Sequence, residues 1–257
     1  MTSSLLFEHS VFKKISLVEN ECELLLQKCT NSIVAPQLPG RDTPIVVDRA
    51  QLPRRRGLST AHGQAHLLHD LANIELQAME LGIRTLHEFP DAPTHFREEL
   101  VSVVLDEARH LKLCIQGIEN LGFNWGDLPV LANLWTATSA SDSLLDRVLI
   151  VHCYLEGSGL DSGELILNKL NGVENPVARE IVKTIADEEI RHVKFGLDWY
   201  RKFCADAGLS PADDFGLRLK KLSNQIPTRT TRFSIRARTA AGFDENMLTA
   251  LRTNSPR

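Results

Sequence analysis

Two short stretches of this chain set the same polar pair into apolar surroundings, and they restrict its fold more than any other feature. "VVLDEARHLKL" (residues 103–113) carries Glu107 and His110, and "IADEEIRHVKF" (185–195) carries Glu189 and His192. Residues three apart share one face of a helix. The neighbours on those faces are Val103, Val104, Leu111 and Cys114 in the first stretch, and Val182, Ile185 and Val193 in the second. Such faces turn inward, and a buried carboxylate or imidazole is costly unless it is paired or bound to a metal.

Hydrophobic spacing places these pairs on two of four helices of about thirty residues each. The first begins at the capping residues Ser59 and Thr60, and Leu67, Leu68, Leu71, Ile74 and Ala78 recur along it. The second starts near Pro93 and stops at Gly122. The third is capped by Ser141 or Asp142. The fourth has Pro176 near its first turn and Gly208 near its end. An earlier amphipathic helix is expected roughly over residues 16–33. Residues 36–57, rich in proline, read as an extended surface segment. Short links within each pair of long helices and a crossover near 122–140 describe an all-α, ferritin-like four-helix bundle. The expected organisation is an N-terminal helix and extended segment (1–57), the bundle (58–208) and a basic C-terminal strap (209–257).

A site holding two metal ions in such a bundle takes one further glutamate from each remaining helix. Glu75, in "LLHDLANIELQAM", and Glu156, in "VLIVHCYLEGSGL", fill that requirement. Glu75 precedes Glu107 by 32 residues and Glu156 precedes Glu189 by 33, so each helical pair carries the same half-set. Four carboxylates and two imidazoles suit two divalent ions, iron first and an iron–manganese pair as the alternative. Asp106 and Glu188 stand four residues before His110 and His192, placed to accept the second imidazole N–H, with Arg109 and Arg191 as counter-charges. His152, four before Glu156, reads as a core histidine ahead of a further ligand or proton shuttle. His62, His66 and His69 recur at helical spacing before Glu75 as core or supporting groups. Gly157, Gly159 and Gly163 mark either a bulge, room for a substrate, or close helix packing.

Composition narrows the classes. A net charge of −4 argues against wholesale nucleic-acid binding. The five cysteines form no CxxC pair, which fits reduced thiols and disfavours a rubrerythrin-like peroxidase. No apolar run is long enough to cross a membrane, and no secretory signal is apparent, so a soluble cytoplasmic protein is expected. The tail "RLKKLSNQIPTRTTRFSIRARTAAGF" concentrates Arg218, Lys220, Lys221, Arg229, Arg232, Arg236 and Arg238. It reads as a strap packing Phe233, Ile235 and Phe243, with a phosphate-binding patch as the weaker alternative.

"HDLANIELQAMELG", "DEARHLKL", "LGFNWGDLPVLANLW", "LEGSGLD", "EEIRHVKFG" and "FSIRARTAAGF" together resemble the ferritin-like family catalogued as domain of unknown function 455, from about residue 38 to about residue 250. The resemblance implies a di-iron site at Glu75, Glu107, His110, Glu156, Glu189 and His192. The chain departs from the family at Asn73, where His is expected, and at Glu188, where Asp is expected. The function expected is O2-dependent oxidation of a small molecule at a C–H bond or an amine, fed by an external electron donor. The alternatives are a tRNA- or RNA-modifying hydroxylase and a ferroxidase or iron-handling protein. A homodimer is admitted but not required.

Overall fold

The computed structural model describes residues 4–28, 33–174, 177–228 and 233–253. Pro176, Arg229 and Arg232, named above, and Cys29, one of the five cysteines, lie outside them. The chain divides into two compact units, Met1–Trp135 with Leu170–Ile181, and Thr136–Lys169 with Val182–Arg257. The described residues are mostly helical and contain no strand beyond one isolated parallel bridge, Val46 with Val130.

In the first unit, α1 (Val11–Leu26) is capped by Ser10, whose side chain accepts from the Lys13 N–H. It starts and stops earlier than the expected 16–33. Its inward face includes Lys14 and Glu21, which hide the apolar period of its first turns. Lys14 donates to Glu80 at 2.5 Å and Arg41 reaches the other Glu80 oxygen at 2.6 Å.

Next come α2 (Ala61–Glu88), capped by Thr60, and α3 (Thr94–Asn120), closed by Gly122 in the left-handed region at φ +82. A Cβ added at Gly82 would lie 2.3 Å from Val104, and one at Gly117 would lie 2.7 Å from Leu68. The late part of α2 thus meets the early part of α3, and the reverse, so the two run antiparallel at close range. α2 is buried on most sides. Leu68, Ala72, Leu76 and Met79 point inward, while Ile74, expected on the core stripe, is 42% exposed. Gln77 ties the crossover down: its amide nitrogen donates to the Leu131 carbonyl, and its oxygen accepts from the Leu134 and Trp135 N–H groups. The Trp135 ring in turn donates to the Gln37 carbonyl, which pins the extended segment.

In the second unit, α4 (Leu144–Val148) is capped by Ser143 in a reciprocal box with Asp146. Asp142, one of the expected caps, instead accepts from the Ser139 N–H and from Arg147. A π-helical segment (Leu149–Leu155) follows, then α5 (Glu156–Leu170). The long third helix is therefore continuous but wound wide in its middle. α6 (Val177–Asp206), which belongs to this unit from Val182 on, runs back along α5: a Cβ at Gly163 would lie 3.1 Å from Ala186, and one at Gly196 would lie 2.3 Å from the His152 Cβ. α7 (Pro211–Lys221), α8 (Ile235–Ala240) and α9 (Glu245–Thr253) make up the C-terminal part. Phe243 and Arg238 are buried there, but Ile235, expected to pack, is 53% exposed.

Candidate metal centre

Glu75 on α2 and Glu107 and His110 on α3 come together inside the first unit, all three buried. The His110 Nδ1 lies 3.4 Å from a Glu75 oxygen and 3.6 Å from a Glu107 oxygen. Each residue offers a ligand atom within 4.8 Å of the others, a spacing that fits a shared cation. Burial works to lower the His110 pKa, but hydrogen bonds to Glu107 and Glu75, and their charges, outweigh it and lift it to about 11. The protein alone therefore holds a proton among two carboxylates and an imidazole, the place a metal cation takes in such a donor set. Cys114, one turn beyond His110, is fully buried. Burial first, and the Glu75 charge second, push its thiol well up, so it stays protonated and inert.

The second unit holds the matching residues. Glu189 and His192 lie one turn apart on α6, with the His192 Nδ1 3.2 Å from a Glu189 oxygen. Glu156 sits where the π-helical segment passes into α5, and its Oε1 pairs with the His152 Nδ1 at 2.8 Å. His152 is buried, with its ring edge-on to Phe195 at 5.0 Å. Its direct effect is to fix the Glu156 carboxylate. Asp106 pairs with Arg109 at 2.9 Å and Glu188 approaches Arg191 at 3.8 Å, on the more exposed sides of their helices.

Two contributors were not legible from the spacing of the ligands. The π-helical segment shifts the side chains around His152 and Glu156 relative to a regular helix; such segments recur at functional sites. Its signal was Gly196, an isolated glycine in an apolar helical run, whose missing Cβ lets the His152 backbone approach. The other is Arg238, fully buried and bound to Asp161 at 2.9–3.2 Å. Its guanidinium occupies the space beside Gly157, where an added Cβ would lie 2.8 Å from it. Gly157 therefore accommodates an arginine and Gly163 a close helix crossing, while the space at Gly159 is open.

Among the described cations of the C-terminal tail, Arg218 and Lys221 pair with Asp146, and Arg218 also pairs with Asp214. With Arg238 committed to Asp161, these three serve acids of the same unit.

Such a chain belongs to the helical proteins that bury a carboxylate–histidine cluster. Residues 7–249 match the family described as "Protein of unknown function (DUF455)", and the chain belongs to that family. The match extends the expected span at its N-terminal side to include α1. A Haemophilus influenzae protein described as "Uncharacterized protein" is 28% identical over 215 residues, covering 80% of this chain and 74% of the relative. No solved structure matches. No helix among the described residues is long and apolar enough to cross a membrane.

Proposed function

We propose that this chain is a ferritin-like, non-haem di-iron protein that uses O2 to oxidise a small organic molecule. The observation that carries this reading is the buried set of Glu75, Glu107 and His110, with ligand atoms within 4.8 Å, recurring in kind as Glu156, Glu189 and His192. One glutamate and one Glu-x-x-His from each helical pair is the donor set of a two-metal carboxylate bundle. Glu75, Glu107 and His110 would hold one side, and Glu156, Glu189 and His192 the other. When bound, the iron pair supplies electrons to O2 and an oxidant strong enough for unactivated C–H bonds or amines.

The protein residues bind, orient and exclude water. His152 holds one Glu156 oxygen and leaves the other for a metal. The Asp106–Arg109 and Glu188–Arg191 pairs place counter-charges beside the ligand-bearing turns. The donors are themselves buried, Glu75, Glu107 and His110 at 3% exposure or less, which keeps bulk water from them. An electron donor would be supplied from outside.

Metal analysis after anaerobic Fe(II) loading, followed by exposure to air, tests the reading. About two irons per chain and a new near-ultraviolet charge-transfer band are expected. Both should be lost in Glu107→Ala and Glu189→Ala. Failure of the intact chain to take up iron or manganese would leave only a buried ion-pair network.

A further inference from the structure

His62, His66 and His69 stand at i, i+4 and i+7 on α2, along one face. They border a pocket of about 160 Å³. Its other walls are the apolar Ala65, Ile118, Phe123 and Leu128, together with Asn124 and Asp127, whose backbone N–H and carboxylate pair with each other at 2.8 Å. The pocket lies in the first unit, and His69 is six residues from Glu75, about 9 Å along the helix.

The ring nitrogens of His69 and His66 stand in different surroundings. The Gly126 N–H donates to His69 Nε2 at 3.1 Å. A backbone N–H can only donate, so Nε2 carries the lone pair and the His69 proton sits on Nδ1. That Nδ1 finds no protein partner although the residue is 1% exposed. The Trp125 ring lies over His69 at 4.6 Å and holds its plane. His66 is set the other way. Its Nε2 faces the Asp70 carboxylate, which Arg55 also holds at 2.7 Å, across 3.9 Å; that is too long for a hydrogen bond, but the negative charge favours the proton on Nε2 and a lone pair on Nδ1. This Nδ1 is also buried and unpartnered. Burial lowers the pKa of both rings, that of His69 to about 4, so this wall is uncharged near neutrality.

A donor and an acceptor thus stand one helical turn apart over an apolar floor. A three-imidazole metal site fits poorly, because the unpartnered His69 nitrogen bears the proton. An anion finds no cation among the bordering residues and would face Asp127, whose carboxylate is already taken up by the Asn124 N–H and side-chain amide. We propose that this pocket binds a small uncharged molecule with an apolar body about the size of one ring and a primary carboxamide-like edge. Its carbonyl accepts from His69 Nδ1–H and its N–H donates to His66 Nδ1. The site is separate from the metal reading and does not depend on it.

Long-range ¹H–¹⁵N NMR of the histidine rings in the full chain, as purified and again after chelation, tests this with benzamide as probe. Toluene and benzoate serve as comparators. Expected are an Nδ1–H tautomer at His69 and saturable shifts of the His66 and His69 nitrogens with benzamide. Binding should be at least about tenfold tighter than for either comparator. His69→Phe should weaken it about tenfold. Leu128→Trp, which fills the pocket without touching a histidine, should abolish it. Absence of saturable shifts, equal response to toluene or benzoate, or undiminished binding in both variants overturns the proposal. So does stoichiometric Zn(II) uptake that is lost in His66→Ala.

Discussion

Two glycines on facing helices separate the effect of a missing Cβ from the effect of helix propensity. At Gly196 an added Cβ meets the Cβ, Cα and carbonyl carbon of His152 at 2.3–3.3 Å, so neither side can yield without moving a backbone. Gly196→Ala should therefore cost about 1–3 kcal/mol of stability by urea denaturation. At Gly159 nothing lies within 4 Å, and the residue is exposed in α5. Gly159→Ala should add about 0.5–1 kcal/mol, because alanine restricts the unfolded chain and favours the helix. Equal effects at the two positions would remove the case for close approach at the π-helical segment. His69 gives a pH signature at the same scale. Burial, then the neighbouring His66, lower its pKa to about 4. Over the interval from about pH 6.5 down to about pH 4 the unfolded chain holds a proton on this residue that the folded chain does not. Stability is complete above the unfolded value and declines as pH falls through that window. Urea midpoints measured across it should fall, and His69→Phe should flatten the slope; an unchanged slope would mean that the ring is solvated.

At the scale of elements, the sequence was legible wherever a helix end carries a cap or the period is unbroken. Thr60, Gly122 and Gly208 mark ends that the structure keeps. It was misleading where polar residues sit on buried faces. α1 begins at Val11 because Ser10 caps it, but Lys14 on its inward face conceals the first two turns. On α2 nearly every side is covered, so periodicity alone cannot say which line faces out, and Ile74 fell on the exposed one. The same buried charges make a test. Glu80 is fully buried and compensates both Lys14 and Arg41. Removing its charge leaves two cations facing a neutral amide out of reach of water. Glu80→Gln should lower stability by about 3–5 kcal/mol, the scale for breaking a buried pair. Because Lys14 belongs to α1, amide exchange should rise first in Val11–Leu26. A uniform rise over the whole chain would argue that α1 has no separate opening.

At the scale of the whole molecule, the six candidate ligands were legible because their chemistry is repeated at matching intervals. The supporting groups were not. Arg238 and Asp161 are 77 residues apart, and no local pattern links them. The wide winding before Glu156 packs closely against Gly196 on another helix. The candidate ligands are divided between the two compact units, with Glu75, Glu107 and His110 in one and Glu156, Glu189 and His192 in the other. A cation held by donors from both sets would favour the folded chain as a whole, since the unfolded chain has no preformed site. The gain follows from mass action: at one hundred times the dissociation constant it is about 2.7 kcal/mol for one site. Anaerobic Fe(II) should accordingly raise the urea midpoint of the full chain and delay exchange in both units together. Glu107→Gln and Glu156→Gln should each blunt the rise, although they lie in different units. Protection confined to the unit of Glu107, with Glu156→Gln silent, would reduce the centre to a single-metal site on α2 and α3. No rise at all would return the six residues to a structural role.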